Sequence, residues 1–120
     1  MRMKSPISTD EMKGKIVVIP FPFSDLRGSK RRPALVLHEY RGDLVVAYIS
    51  SKVPERLSPT DVLVSYESAS FKRTGLLTDS VIMLGKPATI ERQLILRVLG
   101  EVDDDLKEEI NIKLSRCYRL

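Results

Sequence analysis

Two short stretches of this 120-residue chain carry side chains able to act on a phosphate ester. The first is basic. Arg27, Lys30, Arg31 and Arg32 lie within six residues, and Pro33 and the apolar run Ala34-Leu35-Val36-Leu37 follow at once. A guanidinium stays charged at any accessible pH and can hold a phosphate through two parallel hydrogen bonds. Pro33 biases Arg32 toward an extended backbone, which aims its side chain from the mouth of the strand that follows. A solubilising basic loop accounts for the same residues, and spacing by itself leaves both readings open. The second stretch is Ala47-Tyr48-Ile49-Ser50-Ser51-Lys52, a strand ending in two hydroxyls and a lysine. Successive strand residues face opposite ways, so Ser50 and Ser51 cannot both serve one site while the strand stays regular. Serines also gather where strands turn, which is the plainer reading of this pair.

Other chemistries lack their residues. There is no GxxxxGK[ST] loop to cradle a nucleotide phosphate, no GxGxxG after a strand and no HExxH pair. His38 is the one histidine, so a two-histidine acid–base pair cannot form within a chain, and an imidazole at a sheet rim describes it best. Glu101, Asp103, Asp104, Asp105, Glu108 and Glu109 crowd into the tail, where a solvated helix face explains them; a metal-dependent nuclease has little support. Cys117 is the lone cysteine, too few for an internal disulfide or a Cys-x-x-Cys zinc site, which favours a reducing cytoplasm. No apolar run approaches the roughly 20 residues needed to span a bilayer, so no membrane association is expected. The net charge of +4 is modest. Its distribution matters more, because the basic stretch and the acidic tail present opposite fields and a polyanion is drawn to the first.

The elements that must position these groups are mostly strands. Lys15–Ile19, Ala34–His38, Asp43–Ser50, Thr60–Tyr66, Ser80–Leu84 and Leu94–Leu99 are rich in β-branched and large apolar residues. Gly42, Gly75, Gly85 and Gly100, with Pro54, Pro59 and Pro87, read as turns between them. From Asp103 to Tyr118 the pattern changes: Leu106, Ile110, Leu114 and Cys117 recur at helical spacing, with aspartates at the start and Lys113, Arg116 and Arg119 at the end, as the helix dipole prefers. Ile112 falls outside that stripe. Residues 1–12 read as a flexible lead-in, and residues 13–120 as one domain. Many short strands, no crossover helix and one terminal helix predict a mainly β (α+β) fold, a small twisted barrel closed by a C-terminal helix.

Taken together, these pieces resemble the MazF/PemK toxins of bacterial toxin–antitoxin pairs, from Lys13 to the C-terminus. Gly14-Lys-Ile-Val-Val-Ile-Pro-Phe-Pro-Phe23 is similar to the family's first strand, with Lys15 where an aspartate is frequent. Gly28-Ser-Lys-Arg-Arg-Pro-Ala-Leu-Val-Leu37 resembles its most specific motif, a glycine loop leading to Arg-Pro and a hydrophobic strand. Ala47–Ser51, Ser58–Val62, Gly75–Ile82 and Thr89-Ile90 follow in the family's order.

The resemblance implies an SH3-like barrel assembled as a homodimer. It implies an endoribonuclease that cuts single-stranded RNA at short sequences without metal or other cofactor and is neutralised by a cognate antitoxin. The family's catalytic arginine falls on Arg32 and its catalytic hydroxyl on Ser50, a serine where threonine is common. The expected products carry a 2′,3′-cyclic phosphate and a 5′-hydroxyl. Ser29, Lys30, Arg31, Ser51 and Lys52 are the expected RNA-binding neighbours. Phe21 and Phe23 can stack on bases or fill the core. Two rivals share the barrel: a gyrase poison similar to CcdB, and a non-catalytic nucleic-acid-binding module.

Overall fold

The computed structural model describes residues 11–20 and 30–120. Most of the expected lead-in and the residues Phe21, Phe23, Arg27 and Ser29 lie outside the described residues. The chain forms β1 (Lys15–Pro20), β2 (Arg31–Tyr40), β3 (Asp43–Ser50), β4 (Asp61–Val64), the one-turn helix α1 (Phe71–Thr74), β5 (Ser80–Glu91), a 3-10 turn (Arg92–Leu94), β6 (Arg97–Glu101) and helix α2 (Asp104–Cys117).

The strands make one antiparallel six-stranded sheet in the order β4-β5-β3-β2-β1-β6. It curls into a half-barrel with α2 against one face, so the mainly β architecture expected from the sequence is what the chain adopts. Both faces are buried in the middle of the sheet, which explains unbroken apolar runs where one-sided burial would give alternation. Ile16, Leu35, Ala47, Ile49, Val62 and Ile82 point to the side covered by Leu106 and Ile110 of α2. Val17, Ile19, Ala34, Val36, Leu44 and Val46 fill the other side.

Bulges produce the curl. Across from β3, the pairing jumps from Ala47↔Pro87 to Ile49↔Ile82, so the stretch containing Gly85 is extra length on β5. Gly85 and Pro87, read as turn residues from the sequence, therefore lie inside a strand. Glycine is tolerated there because a bulge needs no regular ladder bond, and Pro87 stands at the last pair before the ladder breaks. Leu94, read as a strand start, closes the 3-10 turn instead. The β2–β3 hairpin turns on Arg41 (φ 52) and Gly42 (φ 88), two successive left-handed residues whose twist suits a two-residue connection.

The half-barrel is drawn together where two glycines meet backbone. Gly75 (φ 76) lies so near Leu99 that a Cβ would strike its carbonyl, and a Cβ on Gly100 would strike the carbonyl of Arg73. These contacts seat the end of α1 on β6, the edge strand far from β4. Arg73 then reaches Glu101 with Nε at 3.1 Å and Nη2 at 2.9 Å, and Lys15 Nζ joins the same carboxylate at 3.1 Å. The hydrogen bonds from Arg73 and Lys15 hold the Glu101 carboxyl below the usual carboxylate range.

Helix α2 is tied at its start to the segment before α1 and further along to the sheet. The Asp103 carboxylate accepts from Leu106 N–H at 2.9 Å as an N-cap, and from the Ser70 hydroxyl at 2.8 Å. Lys113 Nζ donates to the Asp61 carbonyl at 2.8 Å, and the Tyr118 hydroxyl donates to the Leu84 carbonyl at 3.0 Å. Ile112 is 52% exposed, as its place outside the helical stripe suggested.

Candidate functional site

Antiparallel order brings the end of β1, the start of β2, the end of β3 and the starts of β5 and β6 to one end of the sheet. Arg31 and Arg32 belong to β2 and are not loop residues, so the sheet fixes their directions. Ile19 pairs with Arg32 and Pro20 with Arg31. Arg32 thus shares the face of Ala34 and Val36, while Arg31 shares the opposite face with Pro33 and Leu35.

Pro33 shapes the opening. The β1–β2 ladder runs to Pro20↔Arg31, but the β2–β3 ladder stops at Ala34↔Tyr48. Proline has no N–H to donate, so the cross-strand bonding to β3 lapses beside it and the strand ends part. Alternation gives Arg32 the face of Ala34, and Ser50 the face of Tyr48, the partner of Ala34 in the last β2–β3 pair. Arg32 and Ser50 are both half-buried at the neighbouring ends of β2 and β3, and Lys30, Ser51 and Lys52 are exposed.

The two serines divide as alternation requires. Ser50 Oγ accepts a hydrogen bond from Lys52 N–H at 3.1 Å, which pins the strand end and leaves its own proton free to donate. Ser51 faces the other way, into a cavity of about 710 Å³. Val18, Pro33, Ile49, Leu76 and Leu99 line that cavity with apolar surface, and Arg31, Arg32, Arg97 and Thr78 line it with polar groups. No carboxylate is among the described residues that line it.

The family is decided by the whole chain. Residues 12–118 match the family described as PemK-like, MazF-like toxin of type II toxin-antitoxin system. The chain belongs to that family. A comparison with curated protein sequences finds no match. Among solved structures, the chain is similar to the Mycobacterium tuberculosis toxin MazF-mt6, with a TM-score of 0.67 at 20% identity over 88% of this chain and 97% of that one. It is also similar to a mycobacterial endoribonuclease solved in complex with its cognate antitoxin, with a TM-score of 0.66 at 19% identity over 91% and 95% of the two chains. MazF from Deinococcus radiodurans gives a TM-score of 0.64 at 19% identity over 90% and 96%. At such identities the likeness establishes a shared PemK/MazF fold.

Within that fold, sequence reasoning missed Arg97. It is a lone charge in an apolar strand pattern, which was a usable signal. Its destination was not legible, because only the pairing Val18↔Arg97 carries β6 to the same end of β1 as the start of β2. Thr78 and Ser80 were missed likewise; Ser80 is buried and its hydroxyl donates to the Thr78 carbonyl at 2.9 Å. His38 lies toward the other end of β2, exposed beside Tyr40 at 6.4 Å between ring centroids, as the rim reading expected.

Proposed function

We propose that this PemK/MazF-family chain is a metal-independent endoribonuclease that cleaves single-stranded RNA, with Arg32 and Ser50 at the scissile linkage. What supports the reading is that Arg32 and Ser50 belong to the same face at the neighbouring ends of β2 and β3, in a chain whose family is one of toxins.

RNA brings its own nucleophile. The 2′-hydroxyl oxygen attacks the adjacent phosphorus, the O2′–P bond forms, the P–O5′ bond breaks, and 2′,3′-cyclic phosphate and 5′-hydroxyl ends result. The 2′-hydroxyl gives up its proton and the departing O5′ takes one. The protein must splay the strand, line up the 2′-oxygen with the bond that breaks, and stabilise charge on the non-bridging oxygens. Arg32 serves the charge. A guanidinium with pKa above about 12 is a poor base at neutral pH, so its role is electrostatic. Ser50 donates its free proton to a phosphate oxygen or to the ribose. Ser29, Lys30, Arg31, Ser51 and Lys52 hold the flanking strand, Ser51 and Arg31 from the opposite face.

A cognate antitoxin neutralises the enzyme, by analogy with the mycobacterial relative solved with its own. The enzyme acts as a homodimer. Leu94 and Leu96, just before edge strand β6, and Val98 on it are 42%, 49% and 50% exposed and supply apolar surface for a second copy.

The test is incubation of purified protein with a long RNA in excess EDTA, with both fragment termini mapped. Cyclic-phosphate and 5′-hydroxyl ends, lost in Arg32→Ala, support the proposal. Cleavage that stops with the chelator and returns with magnesium refutes it. Binding without cutting points to a nucleic-acid-binding module, and inhibited supercoiling with intact RNA points to a gyrase poison.

A further inference from the structure

We propose that the cavity behind the β2–β3 mouth binds the nucleotide next to the scissile linkage, with Arg31 and Arg97 gripping its phosphate from two strands. This rests on the ribonuclease reading above.

The two arginines come from strands that do not pair, because β1 lies between β2 and β6. Arg97 pairs with Val18, and Val18 pairs with Pro33, making one row across three strands on one face. Arg31 stands two residues beyond Pro33 on that same face. Ordinary strand spacing and rise put the two arginine Cα atoms on the order of 12 Å apart. Two long side chains reach a single anion across such a gap.

The surroundings select for an anion with an apolar body. Both arginines line the cavity, and among the described residues no carboxylate does. Arg73 and Arg92 are committed to Glu101 and Glu39, whereas the side chains of Arg31 and Arg97 have no ion-pair or hydrogen-bond partner among the described residues. Between them lies the apolar floor of Val18, Pro33 and Ile49, and Ser51 supplies a hydroxyl at the rim. A ribose and base sit on such a floor, with a guanidinium plane available for stacking. The volume of about 710 Å³ lies within the roughly 300–1,000 Å³ typical of small-ligand sites.

The position next to the cleavage point follows from β2 itself. Arg31 and Arg32 are consecutive on β2 and both border this cavity, so an RNA strand that offers one phosphate to Arg32 brings a neighbouring nucleotide to the cavity beside Arg31.

The experiment uses a short single-stranded RNA centred on the mapped cleavage site, with 2′-deoxyribose at the scissile position to block attack. Binding is read by fluorescence anisotropy at several salt concentrations. Arg97→Ala is expected to weaken Kd about tenfold and to lessen the slope of log K against log salt by about 0.7, the share of one phosphate contact on a single strand. Arg97→Lys restores most of the slope. A neutral methylphosphonate in place of the adjacent phosphate weakens the wild type equally and leaves Arg97→Ala with little more to lose; loss of fold alone does not give that pattern. Wild-type protein that cuts RNA, with Arg97→Ala unchanged in affinity and slope, overturns the cavity assignment alone. Arg97→Ala that binds RNA normally but no longer binds the antitoxin overturns it in favour of an acidic peptide. Wild-type protein that neither binds nor cuts RNA overturns the ribonuclease reading and this inference together.

Discussion

Ser51 lines the cavity that Arg32 borders, whereas the hydroxyl of its neighbour Ser50 accepts a hydrogen bond from the Lys52 N–H at 3.1 Å. The two hydroxyls are adjacent in sequence, Ser50 closing β3 and Ser51 one residue past it, and of the two only Ser51 lines the cavity.

That division predicts unequal effects. Ser50→Ala should lower single-turnover RNA cleavage by about 10²-fold, as loss of one positioned donor does elsewhere. Ser51→Ala should instead raise the RNA concentration needed for half-maximal rate, with a smaller effect on the saturated rate. A reversed pattern would transfer the proposed catalytic role to Ser51.

Arg32 should not tolerate lysine well. An ammonium keeps the charge but cannot supply two parallel planar donors. Arg32→Ala should cost at least about 10²-fold in cleavage, and Arg32→Lys should recover a minor part of it. Circular dichroism melts should stay near wild type for both, since the side chain stands at the strand mouth.

The glycine seam makes a stability prediction that separates crowding from backbone strain. Gly75→Ala meets both a left-handed φ of 76° and the Leu99 carbonyl, and Gly100→Ala meets the backbone at Arg73 and Thr74. Each should cost about 2–4 kcal/mol in urea unfolding. Gly42→Ala has a φ of 88° but nothing within 4 Å, so only the left-handed penalty of about 1–2 kcal/mol applies. Equal losses at all three would mean that the seam contributes no packing.

Acid should weaken the fold through two named carboxyls. Glu101 is held below its ordinary 4.5 by hydrogen bonds from Arg73 and Lys15, and Asp103 below its ordinary 3.8 by Leu106 N–H and the Ser70 hydroxyl. Both bind a proton less readily folded than unfolded. Their stabilisation is therefore complete above the ordinary carboxylate values and is lost as pH falls through the lowered folded ones. Urea midpoints should drop from pH 5 downward, and Asp103→Asn with Glu101→Gln should flatten that drop. An unchanged pH profile in the double variant would remove both groups from the account.

The β6 edge offers a direct test of dimerisation. Val98→Lys puts a charge amid Leu94 and Leu96 and should shift the molecule toward monomer in sedimentation velocity. Unchanged sedimentation would move the proposed contact elsewhere.

The sequence by itself determined the strand inventory, the terminal helix and the family. These rest on local pattern: β-branched runs at 16–19, 34–37 and 44–49, the Asp103 cap with Leu106 and Ile110 at helical spacing, and the Arg32-Pro33 motif. It misread Gly85 and Pro87, because a bulge inside a strand and a turn between strands use the same residues for the same reason, a missing or unneeded ladder bond. Tertiary structure alone decided which arginines share a cavity. Arg97 joins Arg31 through β1, and Gly75 meets Leu99 through the curl of the sheet. Pairing between strands distant in sequence is set by the packing of the whole core, which no local spacing records.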